Sequence, residues 1–470
     1  MAQSSDRLLL AEALEAATDT RALEIGKGVL KKTPEVFRKV FGDRHAIIVA
    51  DTNTFAAAGQ KVLNEFRHAD HPCVEPFIYS DPKLYAEHKY VSELEESLKL
   101  NEAIPVAVGS GTINDLCKLA AHRLNRPYLC VATAASMDGY TAFGASITYN
   151  GSKQTFLCPA PTAVIADLDV VSAAPPHMNA WGYADLVAKF TAGADWLLAD
   201  ALGVEPLHPQ AWHVAQSRLR ELVSQPEGVR AGSVQSLQLL LEGLMLGGFA
   251  MQAAKSSRAA SGAEHQFSHL WDMQHHTFNG KAPSHGFKVG IGTLAASALY
   301  EQILAHPLEK LDVNDCCSNW PDEASRERMA RELFQEPELI TVALNESRAK
   351  SVDTAALRAQ LSDLRKIWPN LRDKLRQQLL PFPEIKQMLQ AAGAPVEPEQ
   401  IGISRERLRE SFRAAWFIRR RFTILDLVVR AGLLDACLDK IFGAKGQWPI
   451  ETGKVANDRA RAGARLNPAH

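Results

Sequence analysis

Residues 104–124 read IPVAVGSGTINDLCKLAAHRL, and this stretch decides the fold. An apolar β-type run, IPVAV, passes through Gly109-Ser110-Gly111-Thr112 straight into a helical repeat. Glycines let backbone N–H groups approach an anion closely, and a helix N-terminus adds a favourable dipole. The turn is therefore a candidate pyrophosphate site. It is not the full GxGxxG pattern, so a plain tight turn stays open as the alternative.

The same alternation repeats on both sides. AIIVAD (46–51) precedes a helical stretch, FAAAGQKVLNEF (55–66), and VEPFIYSD (74–81) precedes YVSELEESLKL (90–100); YLCVATAAS (128–136) follows the quoted helix. Strands separated by helices of this length imply βαβ units and a parallel sheet covered on both faces. Right-handed crossovers then put ligands outside the carboxyl ends of the strands. ASITYN and KQTFLCP, around Gly151-Ser152, read as a β-hairpin. AVIADLDVV (163–171) reads as one more core strand, and APP (174–176) breaks the chain before a helix.

After residue 177 helical periodicity dominates: 181–200, 208–224, 233–255, 262–276, 286–305 and further stretches to 442. A chain of 470 residues exceeds the size at which one core keeps growing. The expected class is α/β: an N-terminal Rossmann-like parallel-sheet domain over 1–176, followed by an all-α C-terminal domain over 177–450. A frayed tail is expected over 451–470, and the active site in the cleft between the domains.

Composition narrows the function. With 46% hydrophobic and 23% charged residues and a net charge of -2, nothing pulls the chain toward nucleic acid or an anionic membrane. The N-terminus, MAQSSDRLLLAEALEAATDT, lacks the basic-then-apolar order of a secretory signal. LQLLLEGLMLGGFAM (237–251) contains Glu242 and reads as a buried core helix, not a membrane span. Seven scattered cysteines without a CxxC pair argue against a disulfide framework and for a reducing cytoplasm.

Two groups of polar residues stand out. On the sheet rim, Asp51 ends AIIVAD, where a carboxylate can accept from a ribose hydroxyl or simply cap the next helix. Thr133, Ser136 and Asp138 follow YLCVATAAS onto the same rim. In the helical part, Asp185 and Lys189 share a face at i, i+4, as do His265 and His269, while His285 opens an apolar helix. Taken alone, Asp185 with Lys189 is a salt bridge. Five histidines (265, 269, 275, 276, 285) within 21 residues shift the reading toward a metal. One carboxylate with two imidazoles leaves an open position on a divalent ion, with zinc, nickel or iron acceptable. HExxH is absent, which disfavours a zincin peptidase.

GSGTINDLCK (109–118), TAASMDGYTA (133–142), PTAVIADLDVV (161–171), GYADLVAKF (182–190), SGAEHQFSH (261–269), SHGFKVGIGT (284–293) and RRRFTILDLVVRAGLLD (419–435) occur in this order. Together they resemble the iron-containing alcohol dehydrogenase / dehydroquinate synthase superfamily, and within it the bacterial sn-glycerol-1-phosphate dehydrogenases. The resemblance spans roughly residues 20–445. It implies that the turn at 109–111 and the loop at 133–138 hold NAD or NADP; the cofactor candidates are Asp51, Gly109, Ser110, Gly111, Thr112, Asp115, Thr133 and Ser136. Asp185, His265 and His285 match the family's three metal ligands. Asp138 falls where the family has an acidic residue beside nicotinamide and substrate. His269 contacts substrate or water, or supports the ligand helix.

The implied reaction is the metal-dependent, NAD(P)-linked, reversible reduction of dihydroxyacetone phosphate to sn-glycerol 1-phosphate. Asp138 and His269 are the catalytic candidates, with Lys189, Lys288 and Lys153 as candidates for the substrate phosphate. A glycerol or polyol dehydrogenase is the alternative within the superfamily. A dehydroquinate-synthase-like lyase prefers a glutamate ligand and a GGGxxxD turn, and a nucleotide-binding protein without catalysis would lack the Asp/His/His set. The resemblance also implies a homodimer. The basic amphipathic stretch 348–379 buries Leu357, Leu361, Leu364, Trp368, Leu371 and Leu375 and reads as a solvated charged face, with packing on a second subunit as the alternative.

Overall fold

Burial on both faces turns the apolar runs into a parallel sheet. The computed structural model describes residues 2–149 and 152–450; the side chains of 2–8, 152 and 153 lie outside that description. So does the tail over 451–470, for which fraying was expected. Strands β1 (Ala22–Gly26), β2 (Ala46–Asp51), β3 (Phe77–Tyr79), β4 (Ile104–Gly109), β5 (Leu129–Ala132) and β8 (Ala163–Asp167) form one sheet. Its order is β1-β8-β5-β4-β2-β3 with every pairing parallel. Alternate residues serve two cores: Ile104, Val106 and Val108 face one side, while Ala107 and Val49 face the other. Each such valine or isoleucine contributes about 1.5–3 kcal/mol by leaving water. That two-sided burial explains why the strands read as continuous apolar runs without alternation.

The strand order places the ligand edge. The chain leaves β2 for β3 on one side and returns to β4 on the other, so the order reverses between β2 and β4. In open parallel sheets the crevice for ligands opens at the carboxyl ends of strands flanking that reversal. Asp51 ends β2 and Gly109 ends β4, so both residues flank it.

Two expected elements differ. AVIADLDVV is not one strand: β8 stops at Asp167, and Leu168–Ser172 is a short helix. The Asp167 carboxylate accepts from the Asp169 amide and from the amides of Gly28 and Leu30, so it ends the strand by capping and ties it to the turn after β1. The stretch 181–200 is likewise two helices, Pro176–Val187 and Lys189–Ala201, joined at Ala188. The hairpin forms as β6 (Ala145–Tyr149) against β7 (Ser152–Phe156), antiparallel, with Asn150 and Gly151 outside the described residues.

Among the described residues every element after Asp167 is helical. Six helices matter here: α1 (Gly111–Arg123), α2 (Pro176–Val187), α3 (Val234–Ala254), α4 (Ala263–Met273), α5 (His285–Leu304) and α6 (Thr354–Gln378). Helix α3 is long and apolar enough to cross a membrane by length and composition alone, yet 78% of its most apolar 18-residue stretch is buried inside the protein. Helix α6 buries all six apolar positions expected of it. Helices α2, α4 and α5 touch backbone to backbone. A Cβ at Gly286 would collide with the Trp181 carbonyl of α2, and one at Gly292 with the Glu264 carbonyl of α4. Replacing Gly292 with Ala should therefore destabilise the protein by about 1–3 kcal/mol, measured as a lower urea midpoint at constant slope. An unchanged midpoint would mean that this contact does not set the helix spacing.

Candidate active site

Asp185 is the last turn of α2, His265 the first turn of α4 and His285 the first residue of α5. The close helix contacts bring their donor atoms within 4.8 Å of one another. His265 Nε2 lies 3.6 Å from Asp185 Oδ1, and the His265 and His285 rings are 5.3 Å apart between centroids. Asp185 is fully buried, so an ionised carboxylate there needs strong compensation. Lys189 provides part of it. Its ammonium, itself 1% exposed, sits 3.3 Å from Asp185 Oδ1, 2.9 Å from the Asp185 carbonyl and 2.7 Å from Asp138 Oδ2.

The titration follows from these neighbours. Burial alone would raise the Asp185 pKa, but the Lys189 ammonium and His265 overcome it and hold Asp185 well below the usual carboxylate range. Asp138 moves the other way: burial and the Asp185 charge push it up, against the pull of Lys189. Burial would lower His265, yet the Asp185 carboxylate 3.6 Å away and the hydrogen bond to Glu264 raise it. The arrangement suits a divalent ion on the evidence of its donors. His265 Nδ1 is engaged by Glu264 Oε1 at 2.9 Å, which leaves Nε2 directed toward Asp185. An imidazole fixed by a carboxylate on its far nitrogen is the usual support of a metal ligand.

Sequence reasoning missed that support. Glu264 is fully buried, and Thr191 Oγ1 donates to its second oxygen at 2.8 Å. Asp195 lies behind it, accepting from the Ala263 amide at 2.7 Å, the Tyr300 hydroxyl at 2.6 Å and the Ile424 amide at 2.7 Å. Burial and the neighbouring Glu264 push Asp195 up to about 7. The available signal was an acid directly before His265 in a helix whose other positions face the core.

The remaining candidates divide. Asp138 joins the rim to the centre, because its amide donates to Asp185 Oδ2 at 3.1 Å. His269 stands one turn beyond His265, partly exposed, with its ring 6.2 Å from His265 and 6.3 Å from His285. On the rim, the Thr133 amide donates to the Gly109 carbonyl at 3.1 Å, which draws the two loops together. Ser110 is the N-cap of α1, with Gly111 and Thr112 in its first turn. A Cβ at Gly109 would strike Ile113, so only glycine lets the strand enter the helix here. Ser136 is buried beside the Tyr140 hydroxyl.

Three candidates have protein partners in the structure. Asp51 realises the capping alternative, accepting from the Asn53 and Thr54 amides at 2.8 and 2.9 Å. Asp115 turns to the hairpin and accepts from the Ser146 amide at 3.2 Å. Lys288 is buried in an ion pair with Asp272. The Lys153 side chain lies outside the described residues.

A parallel sheet with its switch point beside an Asp/His/His centre on a helical bundle defines a class, the iron-containing alcohol dehydrogenase fold. The profile of the family described as iron-containing alcohol dehydrogenase matches residues 24–175. A glycerol dehydrogenase structure from Schizosaccharomyces pombe shares the fold at TM-score 0.58 and 15% identity, over 90% of this chain and 91% of that one. The glycerol-1-phosphate dehydrogenase (NAD(P)+) of Halalkalibacterium halodurans is 37% identical over 59% of this chain and 70% of its own length. That of Geobacillus thermodenitrificans is 30% identical over 83% of this chain and 88% of its own. The chain belongs to the glycerol-1-phosphate dehydrogenase family of the iron-containing alcohol dehydrogenases.

The buried Glu264–His265 contact carries a prediction. Glu264→Gln should weaken zinc binding about 10–100-fold in competition with a chromophoric chelator. Unchanged affinity would show that Glu264 serves the fold alone.

Proposed function

We infer that this protein is an NAD(P)-dependent oxidoreductase that reversibly reduces dihydroxyacetone phosphate to sn-glycerol 1-phosphate. Family membership supports the substrate. The observation that carries the chemistry is the Asp185/His265/His285 cluster bordering the rim at Asp138. In the balanced reaction the carbonyl carbon gains a hydride from the reduced nicotinamide and the carbonyl oxygen gains a proton.

Asp185, His265 and His285 would hold a divalent ion, which when bound would supply Lewis-acid polarisation of a carbonyl. Zinc, nickel and iron all accept this donor set. Lys189 keeps Asp185 ionised, and Glu264 keeps His265 oriented. Gly109, Ser110, Gly111 and Thr112 offer backbone amides to the pyrophosphate, with Thr133 and Ser136 on the adjoining loop. Asp138 orients the substrate between rim and centre. His269, partly exposed, holds the proton exchanged with solvent. The geometry favours a bracing role for Lys189 over phosphate binding, because its ammonium is already committed to three oxygens of Asp138 and Asp185. The proposal includes a homodimer in a reducing cytoplasm; seven free cysteines, six of them buried, support the compartment.

Elemental analysis with an NAD(P)H assay on dihydroxyacetone phosphate tests this reading. The wild type should carry about one divalent ion per chain and prefer glycerol phosphate to glycerol in the reverse direction. His265→Ala should lose the ion and at least about 100-fold in turnover while the chain still folds cooperatively, with a lowered unfolding midpoint. Full activity of that variant in the presence of a chelator would refute the mechanism.

A further inference from the structure

All three hydrogen-bonding positions of the Lys118 ammonium go to backbone carbonyls of a single loop. It donates to Gly139 at 3.2 Å, Ala142 at 2.7 Å and Gly144 at 3.0 Å. The side chain is fully buried, and its nearest carboxylate, Asp115, is 3.8 Å away. A lysine ammonium has three donors, so this loop saturates it. Burying a cation is costly, and an apolar side chain of the same length would fill the space more cheaply. What the cation supplies is a fixed path for a loop that has few backbone partners of its own.

The loop it grips begins at Asp138. Asn114, one helical turn before Lys118 on the same face of α1, donates to the Gly139 carbonyl at 3.3 Å and is itself held by the Tyr128 hydroxyl at 3.0 Å. Between them Asp115 accepts from Ser146 beyond the loop. At its other end Asp138 meets Asp185 and Lys189. The helix whose N-terminus forms the nucleotide turn therefore also carries the anchors of the substrate loop.

We propose that Lys118, assisted by Asn114, is a positioning residue that ties the placement of Asp138 to the dinucleotide-binding helix, so that substrate contacts are built on the same rigid element as the cofactor site. The proposal rests on the reading of Asp138 and the glycine turn given above. Its effect reaches substrate only through the loop.

The test compares Lys118→Met, which keeps the length and removes the donors, with Lys118→Arg, which restores them. In Lys118→Met, kcat/KM for dihydroxyacetone phosphate should fall about 100-fold, the cost of a misplaced group. NAD(P)H affinity, read by fluorescence, should stay within about twofold. Lys118→Arg should recover most of the loss. Equal losses in both variants, or a loss confined to nucleotide affinity, would overturn the proposal. Hydrogen exchange supplies a readout independent of activity: amides of residues 139–144 should exchange faster in Lys118→Met while those of β4 do not. Should Lys118→Met fail to fold, Asn114→Ala must show the same selective exchange, and its absence would overturn the proposal. If the wild type lacks activity on dihydroxyacetone phosphate, the functional reading fails, and the exchange pattern still decides the tether.

Discussion

Backbone contact among three helices is the constraint on which the site depends. Asp185, His265 and His285 are separated by up to 100 positions of sequence, and each occupies the end of a different helix. Side chains this short reach one another only if the helix axes approach more closely than ordinary residues permit. Gly286 and Gly292 make that approach possible along α5, and Gly182 extends it to the Ala135 carbonyl of the rim loop. The same packing that closes the helical core thus fixes the distance between the Asp185/His265/His285 cluster and the sheet rim.

Electrostatics makes this convergence costly. Asp185, Lys189, Asp195 and Glu264 are all fully or almost fully buried. Removing such charges from water costs several kcal/mol each unless close partners restore the loss. Here they are restored in a chain: Asp138 and Asp185 share Lys189, His265 bridges Asp185 and Glu264, and amide and hydroxyl donors surround Asp195. A protein selected for stability alone would place apolar groups at these positions. Their presence fits a centre that must keep one carboxylate ionised and one imidazole in a single orientation.

Much of this was legible beforehand, for identifiable reasons. Parallel strands buried on both faces leave long apolar runs, so β2, β4 and β5 stood out, and the glycine turn fixed where a helix begins. The histidine cluster marked α4 and α5 by its density. What failed was local chemistry in apolar surroundings. Asp167 and Asp169 interrupt an otherwise apolar stretch, and the caps from the Asp169, Gly28 and Leu30 amides that end the strand at Asp167 show only in the folded chain. Asp51 could cap a helix or face a ribose, and periodicity does not distinguish the two. The break at Ala188 is invisible because no Gly or Pro stands within four residues of it. Glu264 and Lys118 escaped notice because a charged residue in a helix normally points to solvent; here both point inward, as only the packed helices disclose.

The pairing of β1 with β8 has a consequence for how the chain is made. Among the described residues the first strand lies at the sheet edge, and its neighbour Ala163–Asp167 is the last strand in sequence. During translation β1 must wait, unpaired, while the six strands between them in sequence emerge from the ribosome. Only when Asp167 arrives can it secure the turn at Gly28 and Leu30. Long-range parallel pairing of this kind is slow and leaves strand edges exposed, so the nascent protein passes through an interval in which its opening residues invite capture by a chaperone.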